Sequence, residues 1–467
     1  GIFLMKDRFW IAFLMGLDLL TAGSSWGLFF YVRQVQIEGK PFHADENFWL
    51  GILFLPLFWV LFYTIQGTYH DIRRLFRLKV LNLSFAASFF GTLVLFFTLL
   101  LDDEVRSYQN YYQLTIWLFI IHLSFTSFGR IVFTTILIKY IKAAGHGFKT
   151  LIIGGNERAV EIYQELLAAP NMINHFVGFI QVNGRDNLLV PQLPHLGKLS
   201  DLQPVLAQHQ VEEVIIAIES SDHDRLQSII ARIDNGKIRI RILPDMYSIL
   251  AGSVDMTNIY GALLIEINPD VMPYWQRAVK RLMDILVASV ALVCLIPFFI
   301  FSAIAVKWSS PGPIFFLQDR VGRDGKCFKI IKFRTMYTDA EKAGPQLSKE
   351  GDPRITPIGL FMRKTRLDEF PQFFNVLLGQ MSLVGPRPER QFYIDQIVAV
   401  EPQYMHLTRV RPGITSWGQV KYGYAENVDQ MLQRMKFDLI YMKNRSLALD
   451  LKIMFYTVII VFKAQGK

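Results

Sequence analysis

The chain has 467 residues, too many for one compact core, so two to four structural units are expected. Hydrophobic residues make up 52% of it and charged residues only 19%, less than the about one quarter of a typical soluble domain, which argues against a wholly water-soluble protein. The net charge of +9 suits nucleic acid, anionic lipid or phosphorylated substrates. No basic tract carries a nucleic-acid motif, so we expect membrane lipid and phosphate, and no nucleic acid, as partners. The two cysteines lack CxxC spacing, which argues against zinc.

Four apolar stretches fill the first third of the chain, and most reach the ~20 residues that a helix needs to cross a bilayer. They cover residues 9–32, 48–65, 80–101 and 114–128, and the pattern of the last continues through 131–141. Core helices of a soluble domain are the alternative, but those would show polar stripes at helical period. We therefore predict a four-helix transmembrane domain over residues 1–145. No small-residue cleavage site follows the first stretch, so it is interpreted as a retained helix rather than a signal peptide.

The charges of the intervening loops predict an orientation. Cations lie between the second and third stretches and after the fourth, whereas acidic residues lie between the third and fourth. The cations are Arg73, Arg74, Arg77, Lys79, Lys139, Lys142 and Lys149, and the acidic residues are Asp102, Asp103 and Glu104. The positive-inside rule therefore places both ends of the helical block in the cytoplasm.

From Lys149 onward, strands alternate with helices. Strands are predicted at 150–153, 176–182, 214–217 and 238–243, and helices at 157–168, 202–209 and 224–235. This alternation predicts a parallel, Rossmann-like sheet over residues 146–250, followed by a connector over 251–273. The turn after the first strand begins Gly154-Gly155, but Asn156 and Ala159 occupy two glycine positions of a dinucleotide fingerprint. A structural or regulatory module is favoured over one that binds a redox cofactor.

A long apolar run begins the last predicted domain, 274–467. Residues 282–306 could span a bilayer, but a single crossing would place the following domain outside the cell, and residues 453–462 are too few to return it. Cations flank the run on both sides, and Pro297 near its middle predicts a kink. We therefore predict a re-entrant helix over 279–308 that breaks at Pro297. A straight span with a kink is the alternative, and the C-terminal apolar stretch is expected to lie at the membrane interface.

The polar region after Trp308 carries the candidate chemistry. Asp368 and Glu369 are adjacent, so on a helix they would point in different directions. One could attack phosphorus while the other holds a metal ion. Arginine forks suited to phosphate oxygens surround them in the sequence, namely Arg334, Arg354, Arg363, Arg366, Arg387 and Arg411. On spacing alone, an ordinary exposed helix turn is the alternative.

The motifs of this region, taken together, resemble the bacterial sugar transferase family, the monotopic phosphoglycosyl transferases. In order along the chain they are Lys280-Arg281-Leu282-Met283-Asp284, the Pro-kinked apolar run, Lys332-Phe333-Arg334, Leu367-Asp368-Glu369-Phe370-Pro371-Gln372, Ser382-Leu383-Val384-Gly385-Pro386-Arg387-Pro388 and Arg411-Pro412-Gly413-Ile414-Thr415. The four helices, Gly67-Thr68-Tyr69 and the Rossmann-like module are similar to the long form of the family. Further candidates for substrate binding in this region are Lys332, Asp352, Gln372, Pro386 and Pro388.

The resemblance implies a two-step transfer of a sugar 1-phosphate from a UDP-sugar to undecaprenyl phosphate at the bacterial cytoplasmic (inner) membrane. Asp368 is implied as the nucleophile that releases UMP and forms an aspartyl-phosphosugar intermediate. Glu369 is implied to hold Mg²⁺, Arg363 to bind phosphate, and Pro386-Arg387-Pro388 to lie near the nucleotide. The pathway would be exopolysaccharide, capsule or O-antigen synthesis.

Two alternatives of other classes stay open at this point. The chain could be an inactive membrane scaffold or sensor, or a membrane-anchored Rossmann enzyme that modifies sugar nucleotides. The motifs recognise phosphate and nucleotide rather than hydroxyl stereochemistry, so the sugar is not specified. Whether the chain forms a homodimer is also open.

Overall fold

The computed structural model describes residues 2–100, 108–143, 145, 147–168, 173–182, 188–218, 223–233, 238–243, 264–267, 272–340, 346, 351–423, 425 and 427–462. The chain forms two compact units. The first contains the described residues up to Ala217 and Pro273–Trp275, and the second contains the described residues of 218–272 and those from Gln276 onward. The finer boundaries predicted at 145, 250 and 273 stay a prediction.

Four long helices open the first unit, and each is long and apolar enough to span a membrane. They are α1 (Ile2–Val32), α2 (Glu46–Gln66), α3 (Arg77–Leu95) and α4 (Tyr108–Ala143). The predicted helical block is thereby confirmed, and its fourth helix runs through the apolar pattern at 131–141. Phe54, Leu57 and Leu61 of α2 are each more than half exposed, as expected for side chains that face lipid. The acidic loop at Asp102, Asp103 and Glu104 lies outside the described residues.

Small residues allow these helices to approach one another closely. A Cβ atom on Gly91 of α3 would lie 2.2 Å from the Trp59 ring of α2, and one on Gly51 would lie 2.1 Å from the Trp26 indole. Close backbone approach at small residues is typical of helices that pack in a bilayer, where burial of apolar surface supplies little attraction. The large tryptophan rings therefore occupy space that glycine leaves open.

A polar network lies inside the helical bundle. Arg130 of α4 donates to both carboxylate oxygens of Asp18 of α1, at 2.9 and 3.0 Å, and Tyr69 donates to the same carboxylate at 2.8 Å. The Arg130 guanidinium also lies 3.9 Å from the centre of the Tyr63 ring, and the Tyr63 hydroxyl is 2.7 Å from His122 Nε2. These partners satisfy charges that would be very costly in an apolar bundle.

A parallel sheet completes the first unit. Its strands follow the order β3-β2-β1-β4, with β1 at Phe148–Ile153, β2 at Asn174–Gln181, β3 at His195–Lys198 and β4 at Glu213–Ile216. Helices α5 (Glu157–Ala168) and α6 (Leu202–His209) connect them. The Rossmann-like prediction is confirmed for this sheet, although β3 was not predicted. Asn156 caps α5 by accepting from Ala159 N at 3.0 Å, which occupies a donor of the first helical turn.

The cationic loop after α2 binds this sheet. Arg73 forms an ion pair with Glu212 at 2.6 Å, and the guanidinium of Arg74 lies 4.1 Å from the centre of the Phe148 ring. Helix α2 ends at Gly67, whose φ of +85° suits a residue without a Cβ atom. The sheet therefore lies at the end of the helical bundle that carries this loop.

The second unit begins with helix α7 (His223–Ile233) and the antiparallel strands β5 (Arg239–Ile242) and β6 (Ile265–Ile267). Strand β6 falls within the predicted connector. Two apolar helices follow, α8 (Tyr274–Cys294) and α9 (Ile296–Ser309), with a bend of 62° between them. Pro297 lies in the first turn of α9, where a missing N–H costs nothing. The predicted break at Pro297 is confirmed as a bent helix pair.

The remaining elements of this unit form a mainly helical domain, as predicted. They are β7 (Phe315–Val321), β8 (Cys327–Phe333), α10 (Pro357–Thr365), α11 (Gln372–Leu377), β9 (Ser382–Val384), α12 (Gln391–Val400), β10 (Gly413–Thr415), α13 (Trp417–Lys421), α14 (Val428–Lys443) and α15 (Leu447–Phe462). Strands β7 and β8 pair antiparallel, and β9 and β10 pair parallel. Buried side chains of α12 and α14 pack into one cluster, and those of β9 and α15 into another.

The Asp18–Arg130 pair generates a prediction about stability. Asp18→Leu leaves the Arg130 charge buried without its carboxylate, so the free energy of unfolding should fall by about 3 kcal/mol or more. The double variant Asp18→Leu/Arg130→Met removes both charges and should lose less than Asp18→Leu alone. Thermal unfolding of the full chain in detergent measures both effects. If the double variant loses as much free energy of unfolding as Asp18→Leu and Arg130→Met lose in sum, the two charges are not coupled.

Candidate active site

Asp368 and Glu369 lie on a tight turn between two helices. Thr356 caps the start of α10 by accepting from Gly359 N at 2.9 Å, and α10 ends at Arg366, which has a positive φ of 62°. A 3-10 turn, Leu367–Glu369, follows directly. Both residues are buried, with 8% of each residue's surface exposed. The alternative of an ordinary exposed helix turn is therefore wrong.

Close backbone contact brings this turn toward strand β8. A Cβ atom on Gly359 of α10 would lie 2.0 Å from the backbone oxygen of Thr335, two residues after the strand ends. Asn375 of α11 holds the strand from the other side, since its side chain accepts from Ile331 N at 3.0 Å and donates to Lys329 O at 2.8 Å. These contacts fix the strand segment that carries Lys332.

Three cations from three separate segments surround the Glu369 carboxylate. Lys332 Nζ lies 3.1 Å from Oε1, Arg366 Nη1 lies 3.1 Å from Oε2, and Arg387 Nη2 lies 3.7 Å from Oε1. Burial alone would raise the pKa of Glu369. The three cations outweigh burial and hold the pKa of this carboxyl well below its usual value. Glu369 is therefore ionised at neutral pH.

Asp368 has the opposite environment. Its carboxylate accepts no hydrogen bond and forms no ion pair with any residue that the structure describes. Burial, and then the adjacent Glu369 charge, raise the pKa of Asp368 to about 6, although Lys332 and Arg363 oppose the shift. Burial disfavours the charged form of Lys332 as well and so lowers the pKa of this amine, although the Glu369 charge opposes the shift. Asp368 is thus a poorly solvated carboxylate without a hydrogen-bond or ion-pair partner among the described residues.

The loop Pro386-Arg387-Pro388 is fixed at its start by several backbone hydrogen bonds. Gly385 N donates to Thr415 O at 3.1 Å, and Gly413 N donates to Pro386 O at 2.9 Å. Lys280 of α8 donates to Val384 O at 2.9 Å and pairs with the buried Asp450 at 2.5 Å. Neither Lys280 nor Asp450 was among the predicted site residues, although Lys280 opens the first motif quoted above.

The family model described as "Bacterial sugar transferase" matches residues 275–464. A protein of Haemophilus influenzae (strain ATCC 51907 / DSM 11121 / KW20 / Rd) named "Uncharacterized sugar transferase" is 32% identical over 68% of this chain and 69% of its own length. This chain belongs to the bacterial sugar transferase family.

Two other members of the bacterial sugar transferase family have more specific names. The "UDP-N-acetylgalactosamine-undecaprenyl-phosphate N-acetylgalactosaminephosphotransferase" of Aeromonas hydrophila is 37% identical over 55% of this chain and 60% of its own length. The "UDP-glucose:undecaprenyl-phosphate glucose-1-phosphate transferase" of Escherichia coli (strain K12) is 34% identical over 56% of this chain and 57% of its own length. The chain thus spans less than two thirds of either relative. A second family model, described as "CoA-binding domain", matches residues 64–244.

The bacterial sugar transferase match contains the whole cation cluster, but several predicted site residues lie in other contacts. Arg334 donates to the carbonyls of Ser310 and Pro311, at 2.7 and 2.6 Å, and so holds the segment after α9. Asp352 and Arg354 pair with each other at 2.6 Å. These three residues support the domain's loops.

Three further candidates lie around the turn without a contact to Glu369 in the part of the chain described. Arg411 donates to Gly379 O at 2.9 Å, just after α11. Arg363 donates to the Thr335 hydroxyl at 2.9 Å and lies close enough to influence Asp368 electrostatically. Gln372 is buried at the start of α11. Of the predicted cations, the ones that form ion pairs with Glu369 among the described residues are Lys332, Arg366 and Arg387.

The carboxylates can be tested as magnesium ligands. Among the described residues, no group of three or more His, Cys, Asp or Glu is placed to hold a metal ion. Mg²⁺ often takes only one or two protein carboxylates and completes its shell with water and substrate phosphate. The Asp368 carboxylate fits such an ion, since no described residue donates to it or pairs with it. Both oxygens of Glu369 already face cations, so Glu369 fits only if a substrate phosphate draws a cation away.

The environment of Asp368 generates a prediction about stability and pH. Folding raises the pKa of this carboxyl, so its ionisation lowers the stability of the folded chain. The loss begins once pH exceeds the pKa that the carboxyl has in the unfolded chain, and it is complete above the folded-state pKa of about 6. In the presence of a chelator, Asp368→Asn should therefore be more stable than the unsubstituted chain at pH 7.5 by roughly 1–3 kcal/mol. The difference should shrink as pH falls from 6 to 4. Thermal unfolding across pH in detergent measures it, and a less stable Asp368→Asn protein at pH 7.5 would contradict it.

Proposed function

We propose that this chain transfers a sugar 1-phosphate from a UDP-sugar to undecaprenyl phosphate, giving a polyprenyl-diphosphate sugar and UMP. The observation that carries the proposal is a pair of adjacent buried carboxylates in two different states. Three cations surround Glu369, whereas Asp368 has no hydrogen bond or ion pair with a described residue. Both relatives with specific names are named as sugar-phosphate transferases that use a UDP-sugar and undecaprenyl phosphate. The product would begin assembly of an exopolysaccharide, capsule or O-antigen.

The first step is displacement at the sugar-linked phosphorus. An oxygen of Asp368 attacks that phosphorus, the bond to the bridging oxygen breaks, and UMP leaves with the bond's electrons. The sugar phosphate is then joined to Asp368 as a mixed anhydride. At pH values above its pKa of about 6, the Asp368 carboxyl is ionised, so it needs no separate base to activate it.

The second step regenerates the carboxylate. A phosphate oxygen of undecaprenyl phosphate attacks the same phosphorus, and the bond to Asp368 breaks. The lipid thereby gains a diphosphate-linked sugar, and the enzyme returns to its starting state. UMP is lost before the acceptor reacts, so the mechanism is ping-pong.

The cations near Glu369 would neutralise phosphate charge. Arg387 and Arg366 have planar guanidinium groups suited to phosphate oxygens, and Lys332 adds a third positive charge. Glu369 balances them in the absence of substrate and keeps them together. A bound Mg²⁺ would supply further charge neutralisation at the diphosphate. We propose Asp368 and Glu369 as the residues that would hold it.

The membrane arrangement supports a cytoplasmic reaction. Cations of the loop between α2 and α3 bind the sheet, which fits the predicted cytoplasmic side. A 62° bend fits a pair of helices that enters one leaflet and returns. We propose this re-entrant path for α8 and α9, because it would keep the domain after α9 on the side from which α8 begins. UDP-sugars are available there, and the apolar pair keeps the site near a lipid phosphate.

The donor sugar is left to experiment, because the two relatives are named for different sugars, N-acetylgalactosamine and glucose. A screen of UDP-sugars with purified protein, Mg²⁺ and polyprenyl phosphate, read by UMP release, identifies the donor. No UMP from any donor would favour an inactive scaffold or sensor. Bound nicotinamide in the purified protein would favour a sugar-nucleotide-modifying enzyme.

Asp368→Asn should reduce UMP release by at least about 10³-fold, because an amide oxygen is a far weaker nucleophile than a carboxylate. Asp324→Asn is a matched control, since Asp324 lies exposed in the turn between β7 and β8. It should retain near-normal activity. The unsubstituted chain should also release about one UMP per active site without acceptor, and turnover by Asp368→Asn near the normal rate would refute the nucleophile assignment.

Removal of divalent metal should abolish UMP release, because Glu369 already balances the nearby cations and Mg²⁺ would supply the further charge neutralisation that lets the Asp368 carboxylate approach a diphosphate. Excess chelator should stop the reaction, and added Mg²⁺ should restore it. Thermal unfolding in chelator serves as the control that the fold persists. Full activity in chelator would contradict the need for magnesium.

A further inference from the structure

A second buried carboxylate lies two residues beyond Arg387. Glu389 has only 4% of its surface exposed and is held by two arginines. Arg434 of α14 donates to its Oε1, and Arg320 of β7 lies 3.3 Å from its Oε2. Arg434 is itself buried. Glu389 thus bridges two elements that lie far apart in the sequence.

The same contacts fix the backbone on the far side of the Arg387 loop. Arg320 Nη1 donates to Pro388 O at 3.1 Å, and Val321 N donates to Glu389 O at 3.0 Å. Together with the bonds at Gly385 and Pro386, they restrain the loop at both ends. Arg387 stands between these restraints, and its guanidinium reaches Glu369.

We propose that Glu389, through Arg320 and Arg434, is a positioning residue that sets where the Arg387 guanidinium meets the donor diphosphate. This inference rests on the proposed function and adds a residue to it. Phosphoryl transfer depends strongly on the placement of such cations, and a displacement of 1 Å can cost on the order of 10²-fold in rate. Glu389 need not touch the substrate for this effect.

The negative charge of Glu389 is what would hold the Arg387 guanidinium in place. Burial lowers the pKa of Arg320 to about 10, Glu389 opposes that shift, and the nearby Arg387 adds to it. Arg320 and Arg387 therefore lie close enough to repel each other, and the Glu389 carboxylate offsets the positive charge of Arg320. An amide at this position keeps the shape but loses the charge, so Arg320 and Arg434 should move apart and carry the loop with them.

A double-mutant cycle with Arg387 tests the proposal. Glu389→Gln should lower kcat/KM for the UDP-sugar between about 10- and 100-fold in the otherwise unsubstituted chain. In an Arg387→Ala background the same substitution should change it less than about twofold, because the guanidinium it positions is gone. Equal losses in both backgrounds would overturn the proposal. The dissociation constant of UMP, measured by calorimetry, provides the same cycle without turnover.

Two further variants keep the test decisive. Glu213→Gln is a matched control, since Glu213 is also buried beside an arginine, Arg74, at 3.6 Å but belongs to the sheet of the first unit. It should leave kcat/KM unchanged. If Glu389→Gln fails to fold, Arg320→Lys keeps the positive charge but loses the guanidinium, whose Nη1 contacts both Pro388 O and Glu389 Oε2, and the cycle is repeated with it. Additivity with Arg387→Ala there would also overturn the inference.

The experiment separates this inference from the proposed function. No UMP release by the unsubstituted chain with any donor refutes the proposed function. Release by the unsubstituted chain, with losses from Glu389→Gln that persist undiminished in Arg387→Ala, refutes the positioning role alone.

Discussion

Attraction of three cations to the Glu369 carboxylate is the interaction on which the site depends. Lys332 comes from a strand, Arg366 from the end of a helix and Arg387 from a loop, and no local hydrogen-bond pattern would bring these three together. Each would repel the others without the central anion. Because Glu369 sits on a turn with 8% of its surface exposed, water screens these charges poorly and the attraction is strong. The elements that carry the cations are therefore held in one arrangement before substrate binds.

The membrane part of the molecule follows a different constraint, which is the cost of polar groups in an apolar surrounding. The helical bundle satisfies its buried Asp18–Arg130 pair with a tyrosine hydroxyl and a tyrosine ring. The bent pair of the second unit is apolar instead, and its break occurs where Pro297 can begin a new helix without losing a hydrogen bond. Lys280 and Asp284 near the start of this pair contact Val384 and Leu383 of β9, directly before the Arg387 loop. Within the second unit, the first helix of the bent pair therefore also supports the segment that leads to Arg387.

Hydrophobic period and length were enough to predict the four spans, the alternating sheet and the bent pair, because those patterns arise from burial along a local element. The dyad and the motif order predicted the region of the site. The contacts of individual cations were not predictable in this way. Arg334 and Arg411 look as suitable for phosphate in the sequence as Arg387 does, yet each donates to backbone carbonyls. Strand β3 was missed because four residues with exposed ends carry little hydrophobic pattern. Glu389 carried no signal beyond its place after Pro388, since its two arginine partners are 69 and 45 residues away.

Adjacent positions on one turn give the two carboxylates different electrostatic states. Glu369 pairs with three cations and is held ionised. Asp368 has no hydrogen bond or ion pair with a described residue, and burial and the Glu369 charge raise its pKa to about 6. A carboxylate that is fully paired is a poor nucleophile, because attack on phosphorus would first require its hydrogen bonds to break. On this turn the two properties belong to separate residues: Glu369 pairs with the cations, and Asp368 is the carboxylate without such partners. Glu369 holds three cations together, while Asp368 stays poorly solvated and without a partner among the described residues. The same separation explains why burial of Asp368 should cost stability, since no described residue donates to its carboxylate or pairs with it. In the proposed reaction, this lack of partners is also what would make the carboxylate reactive.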